Sequence, residues 1–234
     1  MVNARFPAAV ASRAHTCQRI VDVIIGALAP ALPQQAVGAA NGANTTAVFS
    51  GVDPRSGRGY VYLETLGGGF GGRAAHDGKD GVQVHITNTS NLPVEAIEME
   101  YPLLVESYGL VEDSGGAGTW RGGLGLRRVV RPLDHAATFS GTGERFRTAP
   151  WGVFGGGEGL PGRFLRRNAN GDEERLPNKP AEVTVRPDQT IVMETPGAGG
   201  YGPPVGRDPK HLADDRRSGK FSPSVLARRY GAGH

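Results

Sequence analysis

The residues best suited to chemistry lie in one glycine-rich stretch, ETLGGGFGGR, which begins with Glu64 and ends with Arg73. Consecutive backbone N–H groups without side chains can form a concave site for an anion. A carboxylate beside such bare backbone, here Glu64 at the end of an apolar run, could orient a bound amide or a water molecule. We therefore predict that Glu64 is catalytic and that the glycines of the stretch bind substrate, namely Gly67, Gly68, Gly69, Gly71 and Gly72.

Other interpretations of the same stretch must be weighed. Gly67, Gly69 and Gly72 fit the dinucleotide-binding pattern G-x-G-x-x-G, but that pattern requires a helix directly after the loop. The residues that follow, AAHDGKDG, contain turn glycines and no apolar helical period, so a dinucleotide site is excluded. Two simpler interpretations stay open: Glu64 could be an exposed residue at a strand end, and the glycines could serve only as turns.

Four further polar residues follow the glycine stretch in sequence. We predict His85 and Glu98 as catalytic residues, because imidazole and carboxylate groups can carry protons. We predict Asn88 and Arg121 as substrate-binding residues, since an arginine among glycines can pair with a phosphate or a carboxylate. The alternatives are a solvated His85 on the polar face of a strand and a Glu98 that only offsets the N–H groups at a helix start.

The composition indicates a folded, loop-rich protein and argues against a nucleic-acid partner. Glycine supplies 37 of the 234 residues and proline 17, and the apolar runs between them can build a core. The net charge is +3, and aromatic residues make up 7% of the chain. They do not interleave with arginine, as a stacking platform for bases would require.

The cysteine count, the histidine spacing and the length of the apolar runs limit the compartments and the cofactors that fit this sequence. Cys17 is the only cysteine, which excludes an intrachain disulfide framework. The six histidines show no metal-ligand spacing such as H-x-x-x-H. No apolar run reaches the length of a membrane span, and the N-terminus lacks the apolar core of a signal peptide. We expect a cytoplasmic protein without a membrane partner, and no metal within this chain.

Periodicity predicts an α+β fold that is rich in strands and loops. Segment 13–32 predicts one N-terminal amphipathic helix, whose apolar side needs a cover and contains Ile20, Val23, Ile24, Ala27 and Leu28. Two short C-terminal helices are predicted after the N-cap residues Asp208 and Ser222, each followed by proline. Strands are predicted over 44–51, 60–66, 81–87, 101–110, 125–133, 135–141, 162–168, 181–187 and 189–195. We expect residues 1–200 to form a core and residues 201–234 a C-terminal tail with the two helices.

Several motifs in a fixed order resemble one protein family. They are HITNTSNLPVEAIEMEYP at 85–102, EDSGGAGTWRGGLG at 112–125, PGAGGYGPP at 196–204 and RDP at 207–209, together with ETLGGGFGGR and an N-terminal NAR. In this order they closely resemble the hydantoinase B/oxoprolinase family. Members of that family are usually much longer, and this chain is similar to their C-terminal portion.

The resemblance implies part of an ATP-dependent enzyme that opens cyclic amides such as hydantoins and 5-oxoproline. It implies a hydantoinase A-like partner that binds ATP and phosphorylates the amide oxygen, which then becomes a leaving group. Metal ligands, in the family branches that have them, lie upstream of the portion that this chain resembles. We therefore expect no cofactor in this chain, and ATP with a divalent metal in the complete complex.

The expected partners are the A-like subunit, the N-terminal half of the B subunit and a small-molecule substrate, within an oligomer. The chain is then a fragment, a shortened gene product or one half of a split subunit. Three alternatives stay open: a non-catalytic interaction module derived from such a subunit, a component of a related ATP-dependent ketone carboxylase, and a metal-free amidase that acts alone. For the last, Ser114 is the visible candidate nucleophile.

Overall fold

The computed structural model describes residues 3–8 and 13–231. The helices are α1 (Arg13–Leu28), α2 (Val94–Glu100), α3 (Pro209–Arg217) and α4 (Pro223–Tyr230). The strands are β1 (Thr45–Val52), β2 (Gly59–Leu66), β3 (Leu103–Leu110), β4 (Leu126–Pro132), β5 (Ala137–Thr142), β6 (Arg163–Arg167), β7 (Glu173–Arg175), β8 (Val183–Val185) and β9 (Thr190–Glu194). The predicted α+β class, the N-terminal helix and the two C-terminal helices are confirmed.

The strands form two antiparallel sheets that pack face to face. One sheet has the order β2-β1-β5-β8 and the other β3-β4-β9-β6-β7. Side chains that alternate inward from both sheets build the largest apolar cluster, which includes Phe49, Tyr62 and Leu66 from the first sheet and Phe164, Ile191 and Met193 from the second. Burial of this apolar surface between the two sheets holds them together.

Glycine-rich segments pack against one another outside the sheets and form what we call the glycine bundle, defined as segments 38–41, 67–73, 114–125, 151–159 and 196–202. Segment 196–202 exchanges backbone hydrogen bonds with all four of the others. For example, the N–H of Gly199 donates to Ala39 O and the N–H of Gly72 donates to Gly199 O, both at 2.9 Å. A strand in a sheet has two neighbours at most, so this arrangement is a bundle and not a sheet.

Helix α1 turns its polar side toward the rest of the chain. Its buried residues are Gln18 and Asp22, and Gln18 Oε1 accepts a hydrogen bond from Asn44 N at 2.9 Å. The apolar side is open instead, with Val23 65% and Ile24 52% exposed. The sequence predicted an apolar side that needs a cover, and within the described residues that side is uncovered.

The C-terminal helices begin where the sequence predicts and are tied to the core. The side chains of Asp208 and Ser222 accept hydrogen bonds from Lys210 N and Val225 N, as N-caps do. The Arg207 guanidinium, at the start of this region, bonds Asp77 at 2.7 Å in the core and Asp215 at 2.6 Å on α3. The division of the chain at residue 200 stays a prediction, but these ion pairs join its two sides.

One strand prediction was wrong, and one strand was missed. Segment 81–87 forms no strand, and its one ladder contact is the isolated bridge between Gly68 and Val82. Strand β7 was missed because EER has no apolar alternation, and it forms through its pairing with β6.

Close backbone packing predicts that single methyl groups in the glycine bundle are costly. A methyl group at Gly71 would overlap the carbonyl oxygen of Gly38, whereas one at Gly109 on β3 would meet nothing within 4 Å. We expect Gly71→Ala to lower the free energy of unfolding by about 2–3 kcal/mol. The matched change Gly109→Ala should alter it by less than about 1 kcal/mol. Urea unfolding of both variants measures this, and equal effects would contradict the packing described here.

Candidate functional site

A cavity of about 690 Å³, here called the polar pocket, opens beside the glycine bundle. Segment 79–91 supplies much of its wall, and Phe70 and Arg73 of the glycine stretch complete it. The predicted site residues His85 and Asn88 both line the pocket. The structure therefore brings the glycine stretch and these two residues together.

His85 is held in the pocket wall by a buried carboxylate. Its Nε2 lies 3.0 Å from Asp22 Oδ1 on α1, and the two side chains are only 3% and 2% exposed. Its backbone lies in a turn with φ 56°, a left-handed conformation that non-glycine residues seldom adopt. The alternative of a solvated histidine on a strand is wrong, because the imidazole is buried and oriented by its partner.

Three cationic or hydrogen-bonding side chains converge on Asp22. Besides His85, Arg145 donates from Nη2 to Asp22 Oδ2 at 2.9 Å, and Arg19 donates from Nη1 to the same oxygen at 3.1 Å. Burial alone would raise the pKa of Asp22, but the hydrogen bonds from His85 and Arg145 and the arginine charge outweigh it and lower that pKa. Asp22 is therefore ionised at neutral pH and fixes which nitrogen of His85 faces it.

Three residues that line the polar pocket each carry a buried polar atom with no hydrogen-bond partner among residues 3–8 and 13–231. These atoms are Arg73 Nε, Gln83 Oε1 and Asn91 Oδ1. The amide nitrogens of the last two are engaged: Gln83 Nε2 donates to Thr65 O at 2.8 Å, and Asn91 Nδ2 donates to the Tyr108 hydroxyl. A buried polar atom without a partner costs about 1–3 kcal/mol. The residues that line the pocket thus carry two acceptors and one donor without a partner in the described part of the chain.

Glu64 is neither exposed nor free. It is 7% exposed, lies on the inward face of β2 and forms an ion pair with Arg128 of β4, so it links the two sheets. Tyr62 also donates to it, and burial together with that hydrogen bond raises the tyrosine pKa. Its other oxygen accepts from Leu92 N at 3.3 Å, next to the pocket residue Asn91. The interpretation as a solvated strand-end residue is wrong, and the contacts of Glu64 are those of a positioning residue.

The N–H groups of the glycine stretch are already used within the bundle. Gly68, Gly69, Phe70 and Gly72 donate to backbone oxygens of Val82, Pro196, Lys79 and Gly199 at 2.9–3.0 Å. These groups are not available to an anion, so the predicted anion nest is not formed by them. Gly67 and Gly71 pack in the same way, because a methyl group on either would overlap or press on the backbone of Val82 or Gly38. A direct substrate contact by any of these glycines remains only a prediction.

Glu98 and Arg121 lie outside the polar pocket. Glu98 Oε1 accepts from Val105 N at 2.9 Å, at the bulge of β3. Arg121 is buried and bonds Asp80 at 2.7 Å and Asp215 at 3.0 Å. Burial alone would lower the pKa of Arg121, but these carboxylates raise it. The guanidinium predicted to bind a substrate anion is thus paired with carboxylates of the protein itself.

Ser114 has a structural environment. Its hydroxyl donates to Val111 O at 2.6 Å and accepts from Gly125 N at 2.9 Å, and the residue is buried. A hydroxyl engaged in this way inside the glycine bundle is not arranged as an activated nucleophile. The structure therefore gives no support to an amidase built on Ser114.

The described part of the chain holds neither a metal-ligand cluster nor a membrane span. Across residues 3–8 and 13–231, no group of three or more His, Cys, Asp or Glu side chains is placed to hold a metal ion. None of the helices described there combines the length and apolarity needed to cross a membrane.

Three residues of the pocket or its support were missed from the sequence. Asp22 lies on the polar side of a helix and 63 residues from His85, so nothing local marks it. Gln83 was missed because the alternation of segment 81–87 placed it on the solvent-exposed face of a predicted strand. Arg73 had one local signal, its position directly after the glycines. A side chain at that position can lie beside the packed glycine backbone.

Comparison with known proteins gives a consistent result. A family model described as hydantoinase B/oxoprolinase matches residues 1–204. An uncharacterized protein of Methanocaldococcus jannaschii is 40% identical over 232 residues, which cover 98% of this chain and 39% of that protein. The putative D-/L-hydantoinase B subunit of Pseudomonas sp. strain NS671 is 34% identical over 233 residues, which cover 99% of this chain and 38% of that protein.

A solved structure has the same fold. The crystal structure of the ATP-dependent caprolactamase from Pseudomonas jessenii matches with a TM-score of 0.86 and 27% identity, over 99% of this chain and 42% of that chain. The present chain therefore spans about two fifths of the length of these relatives.

The ion pairs of Asp22 predict a pH-dependent contribution to stability. Asp22→Asn leaves buried cations without their carboxylate, so we expect the free energy of unfolding at pH 7 to fall by about 3 kcal/mol or more. The folded pKa lies below the ordinary value of 3.8. The contribution of Asp22 is therefore complete above about pH 4 and is lost as the pH falls through the lower folded pKa.

Urea unfolding of both proteins from pH 7 to about pH 2.5 measures the difference, which should shrink in the acid range. The control is Asp188→Asn, whose ion pair with Arg186 is exposed and should contribute less than about 0.5 kcal/mol. A variant as stable as the wild type at pH 7 would contradict the role given to Asp22.

Proposed function

The chain belongs to the hydantoinase B/oxoprolinase family, and from this premise we propose that it forms the C-terminal part of the B subunit of an ATP-dependent enzyme that opens a cyclic amide. Two of its relatives are described as an ATP-dependent caprolactamase and as a component of a putative hydantoinase. Hydantoin and caprolactam are both rings that contain an amide, so the proposed substrate class is the cyclic amide.

The observation that carries this proposal is the set of unpaired polar atoms in the polar pocket. A cyclic amide offers one N–H donor and one carbonyl acceptor on adjacent ring atoms. Gln83 Oε1 and Asn91 Oδ1 can accept from the N–H, and Arg73 Nε can donate to the carbonyl. Asn88 lies in the same wall and adds a further amide group for orientation. Ligand binding would remove the cost of leaving these atoms unpaired.

His85 is the group in this chain that we assign to proton transfer. Its Nε2 faces Asp22, which leaves Nδ1 as the ring nitrogen to exchange a proton with a ligand. The carboxylate holds the ring in one orientation, as the third member of a catalytic triad does. Glu64 supports the pocket from behind through Leu92, while Glu98 and Arg121 maintain the fold.

Partners and cofactors are assigned to the parts of the enzyme outside this chain. We propose that ATP is held by an A-like subunit, and that any divalent metal is held by the part of the B subunit that the longer relatives carry in addition. We propose that this same additional part covers the open side of α1, where Ile25, Leu28 and Leu32 line a small apolar cavity of about 190 Å³. Contiguous exposed apolar surface is a feature of protein–protein interaction sites.

A reconstituted complex tests the proposal. The chain is combined with the A-like subunit, together with the remaining B part from the same genome, and ADP release is measured with hydantoin, 5-oxoproline or caprolactam. We expect ADP release to require both the chain and one of these cyclic amides. His85→Gln should lower kcat by about 100-fold without changing assembly on size-exclusion chromatography.

The matched control is His211→Gln on α3, outside the polar pocket, which should retain full activity. Full activity in the His85 variant would remove His85 from the reaction. ADP release that does not depend on the chain would contradict the proposed function itself.

A further inference from the structure

A second cavity, of about 400 Å³, adjoins the carboxylate that holds His85. We call it the arginine cavity. Four cationic side chains line it, Arg19, Arg145, Arg147 and Lys179, against the single carboxylate of Glu144. Asp22 connects the two cavities, because its Oδ1 faces His85 and its Oδ2 accepts from Arg19 and Arg145.

Arg145 contains an unused donor in this cavity wall. Its side chain is 3% exposed, Nη2 donates to Asp22, and Nη1 donates to Ala149 O at 3.2 Å. Its Nε is buried and has no hydrogen-bond partner among the residues that the structure describes. A buried guanidinium N–H without an acceptor is costly, and its backbone is held at φ 53°. These costs are offset if an acceptor from outside the chain occupies the cavity.

The cations are also forced close together. Burial lowers the pKa of Arg19, and the charge of Arg145 lowers it further. Gly42, at φ 89°, leaves room for both arginines, since a methyl group there would lie 2.6 Å from Arg145 Cγ and 2.7 Å from Arg19 Nη1. The carboxylate of Glu144 lies 3.4 Å from Lys179 Nζ, and Asp22 pairs with Arg19 and Arg145, so two carboxylates face four positive charges.

We propose that the arginine cavity binds a small oxyanion, a phosphate or a carboxylate group. Arg145 Nε supplies the buried hydrogen bond, and Arg19, Arg147 and Lys179 supply charge at the mouth. Guanidinium and ammonium groups form charge-assisted hydrogen bonds with the oxygens of both anions, and such bonds are about twice as strong as neutral ones. This site is separate from the polar pocket and does not depend on the reaction proposed there.

Calorimetric titration of the chain tests the site, in a phosphate-free buffer of low ionic strength. Inorganic phosphate is the first probe and acetate the second. The double variant Arg147→Gln/Lys179→Gln removes two exposed cations of the cavity. Arg58→Gln/Lys210→Gln removes two exposed cations elsewhere and changes the net charge equally. We expect the first variant to weaken binding at least about 10-fold and the second to leave it unchanged.

The two probes distinguish the source of the anion. Tighter binding of phosphate assigns the cavity to phosphate groups, and tighter binding of acetate assigns it to carboxylates. Absence of binding by both probes to the wild-type chain would overturn the proposal. An equal loss in the two double variants would also overturn it, because the effect would then be general charge attraction.

Discussion

Backbone segments can pack on more than two sides only where no side chain stands between them, and the glycine bundle depends on this constraint. Segment 196–202 lies at its centre and bonds four other segments through their peptide groups. Because glycine has no Cβ, a carbonyl oxygen of a neighbouring segment can approach its backbone, as Gly38 O approaches Gly71. The 37 glycines of the chain therefore serve mainly to build a rigid hydrogen-bonded scaffold.

The polar pocket takes its shape from this scaffold. Gly68 exchanges hydrogen bonds with Val82 in both directions, and Phe70 accepts from Gly123 and donates to Lys79, which places segment 79–85 beside the bundle. On the far side, Glu64 holds Leu92 in place from the sheet interface. Helix α1 then places the carboxylate of Asp22 within hydrogen-bond distance of the His85 imidazole. The glycine stretch thus contributes to the site as a support, while the polar atoms that face a ligand come from the segment that follows it.

The sequence predicts elements well where the signal is local. Strands such as β1 and β9 follow from apolar runs, and α3 and α4 follow from Asp208 and Ser222 with their prolines. Segment 81–87 alternates like a strand, yet its one ladder contact is the isolated bridge to Gly68, so the alternation gave a wrong prediction. The side of α1 that is buried depends on partners elsewhere in the protein, and the pairing of Asp22 with His85 joins positions 63 residues apart. Two local signals were not used: the alternation of Glu64 with the inward residues Tyr62 and Leu66, and the position of Arg73 directly after the glycines.

Amide hydrogen exchange within the glycine stretch tests whether these glycines form a packed scaffold. The amides of Gly68, Gly69, Phe70 and Gly72 all donate to backbone oxygens of the packed chain, so they should exchange only on global unfolding, as slowly as the amides of β9. Exchange as fast as in the exposed turn 53–58 would contradict this packing. It would indicate that the glycine stretch is an open loop free to bind a ligand.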